Sequence, residues 1–170
     1  MAPIENLILG ESTGNIDIAT SDESRLAAVS LASQAQRTLH LFSGDLDAPI
    51  YDTVPFVDAV TSLATRSRYS FVHILLQDAQ KIARQGHRLL ELCYRLDSKV
   101  KLRKPAYEHK DFNESFLVAD ETGVLHRRVA DRYTGIVDFN ARRQARELVS
   151  FFNEVWGRSE PHAELRRLHL

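Results

Sequence analysis

Asn113-Glu114-Ser115-Phe116-Leu117-Val118-Ala119-Asp120 is the stretch on which the fold turns. Ser115 to Ala119 forms a short apolar run between polar flanks, the pattern of a buried strand. Asp120-Glu121-Thr122-Gly123 behind it has the composition of a tight hairpin turn. Val124–Val129 therefore reads as the strand that returns beside it, and Tyr133–Val137 as the next one.

Upstream, strands alternate with helices. Thr20-Ser21-Asp22-Glu23 is a capping-box pattern: Thr20 can cap a helix and Glu23 can reach back. That helix sets Ala28, Leu31, Ala32 and Ala35 on one face. Thr38–Phe42 reads as a strand closed by Ser43-Gly44-Asp45, and Tyr69–Leu76 as a second, buried one. Phe56, Val57, Val60, Leu63 and Ala64 have helical spacing between them. Gln77–Leu96 reads as helix broken at Gly86, with Leu89, Leu92, Cys93 and Leu96 inward. Val100 and Leu102 alternate with Lys99, Lys101 and Arg103, as in a half-exposed strand. A final amphipathic helix carries Ala145, Leu148, Val149, Phe152, Val155 and Trp156 and stops at Gly157. The order predicts a single α/β domain with a mixed central sheet flanked by helices. Residues 1–19 are expected to form a loosely attached extension or an edge strand, 20–158 the domain, and 159–170 a tail.

Composition narrows the function. The chain has 170 residues, 44% hydrophobic and 26% charged, enough for one core. It contains no apolar run of bilayer-spanning length and no basic, apolar secretory leader at its start. A single cysteine, Cys93, excludes a disulfide framework, so a cytoplasmic location is expected, with the thiol packed in the core. Residues 1–80 hold 4 Lys and Arg against 10 Asp and Glu, whereas residues 81–170 hold 18 against 13. The acidic first half argues against indiscriminate nucleic-acid binding. The stripe Lys99-Lys101-Arg103 has aliphatic rather than aromatic neighbours, which suits a protected sheet edge. The 7 histidines show no metal-ligand spacing, and there is no P-loop, GxGxxG or GxSxG motif; neither metal nor cofactor is expected.

Leu41-Phe42-Ser43, Ile50-Tyr51-Asp52 and Val72 through Asp78, followed by Leu89–Leu96 and Val100-Lys101-Leu102, resemble one half of a phospholipase D-like domain. The stretch 113–120 resembles that superfamily's His-x-Lys-x4-Asp motif, with Asn113 at the histidine position, Ser115 at the lysine position, and Asp120 retained. In the superfamily the imidazole attacks phosphorus and the lysine offsets phosphoryl charge. An asparagine amide cannot replace that nucleophile, and serine brings no charge. The resemblance therefore implies the fold without the inherited catalysis. Gly86 through Leu92, with Arg95-Leu96 and Ser98, also resembles an uncharacterised proteobacterial family in which such a domain sometimes follows an acetyltransferase.

The candidate ligand-binding residues are accordingly Asn113, Ser115, Asp120, His87, Arg88 and Arg128, with no catalytic residue assigned. Gly86-His87-Arg88 could hold a phosphate near a helix start. Arg127, Arg128 and Arg132 lie near the expected cleft mouth, where surface ion pairs with residues such as Asp131 are the alternative. The expected function is a non-catalytic domain that binds an anionic, phosphate-containing ligand or a partner. One-motif relatives imply a homodimer across the cleft, and nucleic acid is a weaker possibility. The alternatives are a regulatory or scaffolding module for an enzyme such as an acyltransferase, and a divergent phosphodiesterase using His87 or His109.

Overall fold

The computed structural model describes residues 3–166. Seven strands form one sheet: β1 (Ile16–Ile18), β2 (Thr38–Ser43), β3 (Phe71–Leu76), β4 (Val100–Arg103), β5 (Ser115–Ala119), β6 (Gly123–Arg127) and β7 (Gly135–Asp138). Their spatial order is β1-β7-β6-β5-β2-β3-β4. β2, β3 and β4 are parallel, while β5 joins β2 antiparallel and opens the meander β5-β6-β7. The sheet is mixed, as expected.

The helices are α1 (Ser21–Gln34), α2 (Ala48–Tyr51), α3 (Val54–Ala64), α4 (Gln80–Gln85), α5 (Arg88–Arg95) and α6 (Arg142–Gly157). Period-2 alternation divides their packing. Leu39, Leu41, Leu117 and Leu125 share a core with α1, α3 and α5. Phe42, Phe116, Val118 and Val124 pack on α6 through Ala145, Val149, Phe152 and Val155. Thr20 caps α1, its hydroxyl accepting from Glu23 N–H at 3.1 Å, and Glu23 reaches back to Ala19 N–H at 3.3 Å. Gly86, at φ +78°, turns the chain between α4 and α5, so the break falls where the glycine predicts. Cys93 is buried in the core, and burial pushes its thiol up to about 12.

Of the two readings for the N-terminal segment, the edge strand is the one the structure shows, since β1 lies at the sheet edge beyond β7. β1 pairs with β7, and Gln34 of α1 grips the segment before it, accepting from Leu9 N–H (2.8 Å) and donating to Leu7 C=O (2.9 Å). Leu9 and Leu31 lie so close over Gly123 that a Cβ there would meet them at 2.5 and 2.6 Å. The segment before α1 is thus docked as an edge strand rather than loosely attached, with Leu9 packed beside Leu31 over Gly123. After α6, Glu160 bridges to Lys104 beside β4, and buried His162 hydrogen-bonds Leu76 C=O at 2.7 Å. Ala163–Leu165 makes a 3-10 turn, and the rest of the expected tail element lies outside the described residues. β4 forms one edge of the sheet, consistent with the edge reading of its lysines. Among the described residues, no helix is long and apolar enough to cross a membrane.

Candidate functional site

The sheet end that matters is where β2 and β3 finish and β5 begins. Strand parity decides which side chains reach it from within. On β5, Ser115 points to the same side as Leu117 and Ala119. On β6, Arg127 points with Leu125, so Ser115 and Arg127 meet as register partners.

Arg127 is 2% exposed. Its Nη2 donates to Asp47 Oδ2 and, at 3.0 Å, to Ala130 C=O, while the guanidinium lies 5.7 Å from the Tyr133 ring centroid. Its Nη1 is buried with no hydrogen-bond partner among the described residues. Asp47 lies on the loop from β2, its side chain 15% exposed. Burial pushes the Asp47 carboxyl above its usual range, against the pull of Arg127 and with help from Asp45. The Ser115 hydroxyl donates to Phe42 C=O at 3.1 Å. Tyr51, fully buried beside Ser115, has its phenol pushed up to about 12 by burial. The edge is therefore a closed polar cluster of Asp47, Tyr51, Ser115 and Arg127.

The six residues expected to converge on this edge do not do so. Asn113 is exposed at the mouth, and its backbone carbonyl accepts from Ala130 N–H at 2.8 Å. Ser115 reaches the cluster, but its hydroxyl is buried and committed. Asp120 lies at the far end of β5, about 17 Å away at strand rise. There its carboxylate accepts from the N–H groups of Gln36, Arg37 and Thr38 at 2.8, 2.8 and 3.0 Å. Asp120 also adopts φ +53°, which a short polar side chain tolerates in a hairpin turn. These bonds close the turn onto the entry of β2, at the opposite end of the strand from Ser115. Asp120→Ala should lower the unfolding free energy by about 2 kcal/mol, because three backbone donors lose a charged acceptor. Urea denaturation would measure this, with Asp120→Asn recovering part of the loss.

His87 and Arg88 are likewise structural in this arrangement. Buried His87 accepts from Leu89 N–H through Nδ1 (3.1 Å) and places Nε2 3.0 Å from Leu46 C=O, which assigns the proton to Nε2. Burial lowers the His87 pKa, partly offset by that carbonyl and by Asp52. Arg88 donates from its backbone N (2.9 Å) and Nη1 (3.2 Å) to Asp52 Oδ1. Together the pair grips both ends of the 46–52 segment that carries Asp47. Arg128, one residue past Arg127, points out of the sheet and is exposed.

The sequence reading places Arg127, Arg128 and Arg132 near the cleft mouth and takes Arg128 as the candidate; the structure buries Arg127 against Asp47, which that reading does not name, and leaves Arg128 exposed. Parity along Gly123, Leu125 and Arg127 was the available signal for the arginine; nothing local marks Asp47. Among the described residues, no group of three His, Cys, Asp or Glu side chains is arranged to hold a metal ion.

This sheet order, with a parallel half joined to an antiparallel meander through β2 and β5, defines an α/β domain of the phospholipase D type. Residues 20–168 match a family described as Domain of unknown function (DUF7931), and the chain belongs to that family. No curated protein matches the chain. Nuc from Salmonella typhimurium, a phospholipase D family member, superposes with a TM-score of 0.59 at 13% identity, over 88% of this chain and 99% of Nuc. NucT from Helicobacter pylori gives 0.60 at 11% identity, over 88% and 99%. TrmBL2, an archaeal chromatin protein that binds DNA, gives 0.64 at 20% identity, over 89% of this chain. The chain spans 55% of TrmBL2, about half its length. At these identities the shared property is the fold.

Proposed function

We propose that this chain is a non-catalytic phospholipase D-like domain that holds a phosphate-bearing ligand at the β2–β5 edge, with Arg127 as the recognising cation. One observation carries the reading. Arg127 stands directly across the strand pair from Ser115, the position that the motif resemblance gives to a lysine. The cation stands on the neighbouring strand, and its buried Nη1 has no acceptor among the described residues. A buried donor without a partner costs about 1–3 kcal/mol, which an arriving oxyanion would relieve. Guanidinium suits that role through its planar fork.

The nucleophile has no such replacement. The Asn113 amide is unreactive, and both His87 ring nitrogens are engaged. A ligand at this edge would be held, not cleaved. Two copies could face each other across the exposed Asn113 and Arg128 rim as a homodimer, which light scattering would detect. The second reading, a regulatory or scaffolding module for an enzyme such as an acyltransferase, draws support from the closure of the edge by Asp47.

The test pairs a generic aryl phosphodiester assay with calorimetric titration of inorganic phosphate. Expected are no turnover, and weak phosphate binding that falls by roughly tenfold or more in Arg127→Met. Turnover that disappears in His87→Ala would overturn the non-catalytic reading. Phosphate binding indifferent to Arg127 would overturn the site and favour the scaffold.

A further inference from the structure

Asp47 occupies the N-cap position of α2, where an aspartate ordinarily accepts a hydrogen bond from the first helical turn. It makes no such cap bond. Its carboxylate reaches across to Arg127 instead, bonding the guanidinium as a ligand oxyanion would. The backbone has been bent to allow this, since Leu46 immediately before it sits at φ +57°, a region that branched side chains avoid. The arrangement is then held at both ends: His87 on Leu46 C=O, and Arg88 on Asp52. A cavity of about 130 Å³, lined by Leu46, Ala48, Asp52, Ile82 and His87, lies between the segment and α4.

We propose that Asp47 is an internal stand-in for the ligand: its carboxylate occupies Arg127, and an external phosphate binds only when the 46–52 segment withdraws. The inference rests on the anion-binding reading above and adds its regulation. Withdrawal gives up the Asp47–Arg127 bond, while the backbone start of α2 keeps its own bonds, since Ile50 N–H and Tyr51 N–H already donate to Asp47 C=O at 3.0 and 2.9 Å. The neighbouring Asp45 carboxylate disfavours an ionised Asp47 in place, so the internal pair is weaker than an isolated one. Gly86-His87-Arg88 then acts as the catch of the device, positioning Asp47 and making no contact with the ligand. Any partner that pulled on α5 or paired with Arg88 would loosen the catch and open the site.

The experiment is calorimetric titration of inorganic phosphate into the full chain, Asp47→Asn, Asp47→Glu and the neutral double variant Asp47→Asn/Arg127→Met. Asp47→Asn should bind phosphate roughly tenfold more tightly than the parent. Asp47→Glu, which keeps the internal charge, should stay near the parent, and the double variant should lose binding. If Asp47→Asn does not fold, Arg88→Ala replaces it. That change releases one end of the segment and should raise affinity roughly threefold. Parent-like affinity in the variant used, with binding still dependent on Arg127, would overturn the internal competitor and leave the anion reading standing. Binding that survives in the double variant would overturn both.

Discussion

Arg127→Met is expected to lower the unfolding free energy by about 3–4 kcal/mol, and adding Asp47→Leu to restore most of it. The single change removes a guanidinium that is 2% exposed and leaves a carboxylate, 15% exposed, in the cavity it shared. That carboxylate must then take up a proton or draw in water. The Ala130 carbonyl, which accepts from Arg127 Nη2, loses its donor too. The double change removes both charges and fills the space with apolar groups, and such replacements of buried pairs are commonly close to neutral. A double-mutant cycle by urea denaturation should therefore show a coupling of about 3 kcal/mol. Simple additivity of the two single effects would mean that the pair contributes nothing as a pair. The outcome matters for function, because a strong pair is the lock that a ligand has to open.

Most of the fold was legible because its signals are local. The capping box at Thr20, the glycine at 86 and the 120–123 turn each act within a few residues, and each lies where the sequence puts it. Adjacent strands β5, β2 and β3 at the centre of the sheet follow from the motif resemblance and its order of elements. The site was much less legible. The contacts that define it join residues far apart in sequence: Asp47 with Arg127, Leu46 with His87, Asp52 with Arg88. No periodicity encodes which loop carboxylate meets which strand cation. Strand parity does encode that Arg127 faces inward and Arg128 outward, and counting from Leu125 gives the buried member directly. The retained Asp120 stands apart from Ser115 for a related reason. An aspartate five residues beyond position 115 on a straight strand lies at the opposite end of the sheet, where only the turn and the entry to β2 are within reach. The N-terminal edge strand was one of two readings the sequence allowed; what it did not show is the hold on the segment by Gln34 of α1 and the packing of Leu9 over Gly123.

Acidification should destabilise the chain well above the pH at which ordinary carboxylates titrate. His40 and His73 are register partners on β2 and β3, on the sheet face that α6 covers. His40 packs edge-on to Phe71 and Phe152, and His73 stacks on Trp156 with ring centroids 4.2 Å apart. Burial holds both imidazoles down at about 4, and for His73 the nearby His40 and Lys101 add to the effect. The direction follows from proton counting. Between the unfolded value of 6.5 and the folded value of about 4, the unfolded chain binds the proton and the folded chain does not. Stability is therefore full above 6.5, falls as pH drops through that window, and levels off for these groups below about 4. For His40 alone the loss is about 2 kcal/mol by roughly pH 5 and about 3 kcal/mol by roughly pH 4. His73 is partly exposed and adds a smaller amount, reduced by solvent screening. His87, whose pKa is lowered by burial, acts in the same direction, and its protonation also removes the acceptor that caps α5. Urea unfolding at a series of pH values between about 7.5 and 4.5 tests this, with His40→Phe as the comparison. The variant keeps the aromatic packing and removes the proton site, so its stability should fall less steeply across the window. Parallel curves for the two proteins would show that His40 takes no part in the acid response.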